Sequence, residues 1–299
     1  MEFFVSARIS NLQVVDPGEI RRVQFALPDY VEIGEIRYSL HDTMRPGTAF
    51  LVKPWGMRTE KFRRRMYTRS NSSCTEPGIL ETFINHTHRP QADTSMWWQS
   101  EMADIWYEEG RTIEVRLTVD EAQGLATVYE NAALCKDGNL RLEPDGGWED
   151  YRLVCVAYGT GITPFLSYIR YMANQAWRQG GGKCHGHMTL IASARHQGQL
   201  ILHQELQEIA QQFPQYFRYV PVLTRSWPVD WPSLKGRIVR TNVLPSGEEQ
   251  IDLTPMLDLV PDLSRSHLRM CGSLPACRQF THGLREQGIF PLTVRMESW

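Results

Sequence analysis

Several polar segments of this chain stand where apolar runs end, and their residue types suit anions. Gly159-Thr160-Gly161-Ile162-Thr163-Pro164 follows the apolar run 153–157. Gly159 and Gly161 permit close approach of backbone to a ligand, Thr163 suits a helix N-cap, and Pro164 suits a first helical position. Free amides at such a helix start favour a phosphate or carboxylate. The same glycine pair also makes an ordinary strand–turn–helix connection, and its spacing is not GxGxxG. Ser193-Ala194-Arg195 ends the run 188–193, Thr224-Arg225 ends 217–224, and Arg237 lies in Lys235-Gly236-Arg237-Ile238. Three guanidinium groups on one sheet edge could grip a phosphate bidentately, as a ribose 2′-phosphate requires. Cys271-Gly272-Ser273-Leu274-Pro275 ends the run 267–272. Cys271 is either a small buried hydrophobe or part of a reaction pocket. In the first half, Arg65-Met66-Tyr67-Thr68 reads as a strand with Arg65 and Tyr67 on one face. A guanidinium beside a flat ring could hold a pyrophosphate and an adjoining aromatic system. The alternative is an Arg–Tyr pair on a barrel surface.

The elements that must position these residues change rhythm along the chain. With 299 residues, two domains of roughly 150 are expected, each able to bury a core. The first half alternates in the manner of strands: 20–28 places Val23, Phe25 and Leu27 on one face, and 48–54, 79–84 and 112–119 are similar. Asp16-Pro17-Gly18, Pro46-Gly47, Pro77-Gly78 and Gly110 punctuate them, which predicts an antiparallel β-barrel or sandwich. An acidic, turn-rich stretch at 120–150 predicts a hairpin excursion at the domain boundary. From residue 151, continuous apolar runs alternate with helical patterns at 164–177 and 202–213, which predicts a doubly wound parallel α/β domain over 151–299. Ligands on such sheets lie at the carboxyl ends of the strands, where the glycines and arginines above fall.

Composition excludes several classes. A net charge of −2 gives no nucleic-acid signature, yet seven basic residues and one acid lie between Lys53 and Arg69, leaving −8 for the rest. Such a basic region could steer an acidic partner. The cysteines at 74, 135, 155, 184, 271 and 277 form no CxxC pair and match no iron–sulfur spacing. A reduced, cytoplasmic protein is expected, since no leader pattern opens the chain and no run reaches the ~18 apolar residues of a membrane span. No metal site is expected. Gly180–His187 (GGGKCHGH) lacks the Gly-Lys-Ser/Thr ending of a phosphate loop and a fourth metal ligand, so it reads as a connection.

Taken in order, these features resemble the ferredoxin/flavodoxin–NADP reductase family, most nearly its bacterial flavodoxin-reductase branch, over nearly the whole chain. Arg65-Met66-Tyr67-Thr68 is similar to the family's Arg-x-Tyr-Ser/Thr flavin motif, and Arg45-Pro46-Gly47 to the turn before the preceding barrel strand. The Gly159–Pro164 segment is similar to the nicotinamide-side glycine loop, and Cys271-Gly272 to the Cys-Gly pair beside the nicotinamide. Trp299 stands where family members commonly carry an aromatic that covers the flavin.

The resemblance implies an N-terminal antiparallel FAD-binding barrel over 1–150 and an NADP-binding α/β domain over 151–299, with FAD and NADP(H) as cofactors. Arg65 would meet the FAD pyrophosphate, Tyr67 would stack on the isoalloxazine, Thr68 would hydrogen-bond near its N5, and Phe83 would flank it. Ser95 would make a second phosphate contact, although the family's nearby glycine is missing here. Trp97 and Trp98 read as core. Gly159, Thr160, Gly161, Thr163, Cys271 and Gly272 would surround the nicotinamide, and Ser193, Arg195, Thr224, Arg225 and Arg237 the 2′-phosphate. Thr68, Cys271 and Trp299 would stand nearest the hydride transfer. The implied activity passes electrons from NADPH through FAD to an acidic ferredoxin or flavodoxin. That carrier would dock near Lys61, Arg63, Arg64 and Arg69, the charges one FAD leaves over. Alternatives are the reductase component of an oxygenase system and a non-catalytic flavoprotein subunit. The three arginines argue against the second.

Overall fold

The computed structural model describes residues 1–17, 19–40, 48–86, 93–128, 152–178, 186–243 and 245–298. The chain divides into two units, Met1–Asp137 with Thr163–Asn174, and Gly138–Ile162 with Gln175–Trp299. The boundary expected near residue 150 lies outside the described residues, as does the expected hairpin from residue 129 onward.

Period-2 alternation builds the first unit. Its strands are β1 (Glu2–Asp16), β2 (Ile20–Ala26), β3 (Tyr30–Ile33), β4 (Ile36–Leu40), β5 (Ala49–Val52), β6 (Trp55–Gly56), β7 (Lys61–Phe62), β8 (Arg65–Thr68) and β9 (Ile79–Asn85). Helices α1 (Asp93–Trp98) and α2 (Glu101–Glu108) precede β10 (Thr112–Asp120) and β11 (Leu125–Val128). The sheet runs β3-β4-β11-β10-β1-β2-β9, with β5 joined to β10 and β8 to β5. All its pairs are antiparallel except β11 with β4, and the sheet curls into a half-barrel. Val23, Phe25 and Leu27 face one core with Ile113, Val115, Leu117 and Val119, which alternate inward along β10. Trp97 and Trp98 are fully buried in that core, as expected of them.

On β9 the alternation places a charge on the face away from that core. Leu80 and Ile84 join the core, while Glu81 and Phe83 point to the other face, where both are buried. Helix α3 (Thr163–Met172) brings Arg170 to Glu81. Arg170 Nη1 donates to Glu81 Oε1 at 2.6 Å, and Ser70 Oγ donates to the same oxygen at 2.7 Å. Arg22 Nε and Gln24 Nε2 donate to Oε2 at 2.6 and 2.9 Å. Burial alone would raise the Glu81 carboxyl, but Arg170, Arg22 and the Ser70 hydroxyl outweigh it and hold it below its ordinary value.

The second unit contains β12 (Arg152–Tyr158), β13 (His187–Ala194), helix α4 (His203–Gln212), β14 (Phe217–Leu223), β15 (Leu234–Lys235), the hairpin β16 (Arg240–Val243) and β17 (Glu249–Asp252), α5 (Thr254–Leu259), β18 (His267–Gly272), α6 (Leu274–Glu286) and β19 (Thr293–Ser298). Its sheet is wholly parallel, in the order β15-β14-β13-β12-β18-β19. One face packs Val154, Val156, Ile191, Val220, Val222, Leu268 and Met270 against Cys277, Phe280 and Leu284 of α6.

Glu81→Gln should lower stability by roughly 3 kcal/mol in urea unfolding, because the partly buried Arg22 and Arg170 lose their fully buried counter-charge. A carboxyl lowered by folding contributes stability above its unfolded value, and loses it as pH falls through the folded one. The variant lacks that contribution at every pH, so its stability should decline less steeply than the wild type's below pH 4.5.

Candidate functional site

The parallel sheet gathers the polar strand ends. Tyr158 lies beside Ser193, Ser193 beside Val222, and Leu223 beside Lys235 in the ladder, so the loops that follow leave one edge. Backbone bonds tie them laterally: Thr224 N donates to Ala194 O at 2.9 Å, Arg225 N to Arg195 O at 3.0 Å, and Gly236 N to Leu223 O at 2.8 Å. The Thr224 hydroxyl also donates to Ala194 O, at 3.1 Å. Ser193 and Arg195 are half-buried, and Arg195 Nε donates to Gln199 Oε1 at 3.2 Å. Arg225 and Arg237 are exposed, and among the described residues no acid pairs with either. Two open forks on one edge fit a phosphate-bearing ligand.

The glycines beside this edge have a structural reason of their own. A Cβ on Gly161 would lie 2.1 Å from Cys271 O, and one on Gly272, at φ +120°, would lie 2.4 Å from Tyr158 O. The loop after β12 is thus seated against the end of β18 by backbone alone. Thr160 and Thr163 are buried in it, and Gly159 takes a left-handed φ of +58°. Cys271 has no exposure. Burial, then the Glu297 carboxyl and the neighbouring thiols Cys277 and Cys155, hold its thiol far above the ordinary value, so it stays neutral. Tyr158, passed over in the sequence, ends β12 with a buried hydroxyl that has no partner among the described residues.

In the first unit, β8 is held to α1. Arg65 Nε donates to Thr94 Oγ1 at 3.2 Å, and Trp98 Nε1 donates to Tyr67 Oη at 3.0 Å. Burial pushes the Tyr67 phenol up to about 12, against the hydrogen bonds from Trp98 and Thr94 and the charge of Arg65. Its ring is therefore neutral and fixed in place. Thr68 pairs with Ala49, and Ser95 lies half-buried in α1. Arg65, Tyr67 and the helix bearing Ser95 are thus brought together. Phe83 is not: it shares the Glu81 face of β9, opposite Leu80 and Ile84, whose core Tyr67 packs against. A guanidinium and a pinned aromatic ring on one strand are what a flavin dinucleotide needs at its pyrophosphate and ring system.

The basic stretch divides. Lys61 and Arg64 are exposed and Arg63 is half-buried. Arg69, expected in the docking surface, is 1% exposed. Its Nε donates to Asn71 Oδ1 at 2.9 Å and its Nη2 to Ile79 O at 2.7 Å, so it serves the fold and presents no charge to a partner. Asp93 ties the β6–β7 hairpin to α1, accepting from Arg58 N at 2.5 Å and Thr59 Oγ1 at 2.6 Å. Trp299, the Arg45-Pro46-Gly47 turn and residues 180–185 lie outside the described residues. Among the described residues no three His, Cys, Asp or Glu side chains gather as metal ligands, and no helix is long and apolar enough to cross a membrane.

Residues 155–282 match the family model of the oxidoreductase NAD-binding domain. By sequence, no curated protein matches the chain. Solved structures resemble it closely in architecture. One is the flavohemoglobin of Malassezia yamatoensis with bound FAD and heme (15% identity, TM-score 0.65, covering 99% of this chain and 60% of that one). This chain therefore spans less than two thirds of that protein. Others are the FAD/NAD-binding domain of nitric oxide dioxygenase from Vibrio cholerae (12%, 0.59, covering 98% of each) and the ferredoxin-NADP+ reductase of Plasmodium falciparum with 2′P-AMP (13%, 0.59, covering 99% and 96%). The fold is shared: a curled antiparallel sheet followed by a parallel sheet with helices, as the sequence predicts.

Gly161→Ala should force the glycine loop off the end of β18. A loss of ~1–3 kcal/mol is expected, read as a lowered midpoint in thermal or urea unfolding.

Proposed function

We propose that this protein is a flavoprotein oxidoreductase that takes electrons from NADPH, holds FAD, and delivers them singly to an acidic ferredoxin- or flavodoxin-type carrier. The observation that carries this reading is the edge formed by β13, β14 and β15, where Arg225 and Arg237 stand open beside Arg195. The match of 155–282 to an NAD-binding domain supports a nicotinamide dinucleotide there. The open forks, and the 2′P-AMP held by the Plasmodium falciparum reductase, support the phosphorylated form.

Each unit then has its own task. In the second, Arg225 and Arg237 grip the 2′-phosphate, and Ser193, Arg195 and Thr224 shape the loops around it. Gly159, Thr160, Gly161 and Thr163, seated on Cys271-Gly272, form the wall beside the nicotinamide, with Cys271 a neutral packing group. In the first, Arg65 meets the FAD pyrophosphate and Ser95 a second phosphate oxygen. Tyr67 offers its pinned ring as a platform, and Thr68 a hydroxyl to the ring system. FAD supplies the exchange between a two-electron hydride and single electrons. Phe83, on the far face of β9, acts at most through that strand. Lys61, Arg63 and Arg64, on or beside the hairpin tied down by Asp93, meet the acidic carrier.

Rapid mixing of the FAD-loaded protein with NADPH should bleach the flavin absorbance. A protein that takes up no FAD sinks the flavin assignment, and one that binds FAD but is not reduced is a non-catalytic flavoprotein. Arg225→Ala should weaken NADPH by roughly tenfold to a hundredfold, the value of a charged hydrogen bond, while NADH affinity stays near that of the wild type. Equal losses for both would remove Arg225 from the 2′-phosphate. Lys61→Glu with Arg64→Glu should slow electron transfer to an acidic carrier and flatten its ionic-strength dependence, leaving reduction by NADPH unchanged.

A further inference from the structure

The edge strand β19 wears its apolar residues on the outside. Phe290, Leu292, Val294 and Met296 are 70%, 61%, 41% and 40% exposed. Thr293, Arg295 and Glu297 alternate with them and are half-buried. Soluble edge strands ordinarily do the reverse, and blunt themselves with charge, proline or a bulge. Here the register from His267–Thr293 to Gly272–Ser298 is unbroken.

The stripe continues a buried layer. Val154 lies beside Leu268 and Leu268 beside Val294; Val156 lies beside Met270 and Met270 beside Met296. In each row the first two members are at most 3% exposed, under α6, and the third is 41% or 40% exposed. Helix α6 lies against both β18 and β19, yet it leaves the apolar side chains of β19 partly open. Phe290 and Leu292 lengthen the uncovered strip, as an interaction surface does. Beyond β19 no further strand pairs among the described residues, so its outer backbone groups are open.

Charge on the other face of β19 selects the occupant. If two copies pair their β19 strands antiparallel about a two-fold axis through Met296, Arg295 of each copy stands opposite Glu297 of the other, twice. An axis through Arg295 would oppose two arginines, and one through Glu297 two carboxylates, both unfavourable across a sheet. The Met296 register also sets Met296 against Met296 and unites the two apolar stripes. We propose that β19 is a homodimer interface, with two copies joined antiparallel about Met296 into a continuous sheet. A C2 contact of this kind is self-complementary by construction.

Sedimentation and light scattering of the FAD-loaded full chain at micromolar concentration should give near twice the 34.5 kDa chain mass. Met296→Lys and Val294→Lys should each give a monomer with unchanged circular dichroism. The register has its own readout that does not rely on those variants: under mild oxidation Met296→Cys should cross-link to a reducible dimer in high yield, and Val294→Cys, which faces Ser298 of the second copy, should stay at the wild-type background. A wild-type monomer overturns the proposal and leaves the stripe to an unlike protein. A dimer that survives both lysine variants, or a cross-link favouring position 294, overturns it equally.

Discussion

A carboxylate with no access to water, Glu81, is the constraint on which the first unit is built. Each of its oxygens accepts two hydrogen bonds, from Arg170 and Ser70 on one side and Arg22 and Gln24 on the other. A charge so placed cannot be left half-satisfied, because removing any one donor leaves a desolvation cost unmet. The network therefore specifies geometry: strand β2, strand β9, the turn at Ser70 and helix α3 must arrive together. Helix α3 belongs to the same unit as that charge, so its position rests on the half-barrel.

Backbone contact does the corresponding work in the second unit. Gly161 and Gly272 let the loop after β12 and the end of β18 meet with no side chain between them. The strand ends then fall level, and lateral amide bonds pass from Ala194 to Thr224 and from Arg195 to Arg225. In the proposed anion site, rigid spacing of those loops keeps the arginines in register, since a fork binds only where its partner atoms are already placed.

Much of this was legible in residue order. Val23, Phe25 and Leu27 announced a half-buried strand by period alone, and the runs at 153–157, 188–193, 217–224 and 267–272 lie in four of the six parallel strands. The strand ends could be placed because the strands of a parallel sheet all end at one edge. Other features could not be read. Glu81 sits in Ile79-Leu80-Glu81-Thr82-Phe83-Ile84, where alternation gives it the face away from the core, and Arg170 of α3, distant in sequence, helps to bury it there. Phe83 shares that face of β9 with Glu81. Strand β19 escaped notice because its apolar residues point outward, and α1 and α2 because each is short and framed by residues without a strong helical period.

Arginine shows most clearly what sequence withholds. Arg22, Arg69, Arg170, Arg225 and Arg237 are the same residue type, yet what each guanidinium meets decides its task. Arg22 and Arg170 end on one carboxylate, and Arg69 ends on an asparagine and a carbonyl oxygen of its own neighbourhood. Their donors are consumed by the fold. Arg225 and Arg237 stand exposed, and among the described residues neither forms an ion pair. Charge density along the chain, highest at 61–69, therefore points to the wrong place for part of its sum: one of its cations is buried structure, and the open forks lie far along the chain. An unspent donor, rather than a basic run, is the better mark of a site that waits for an anion.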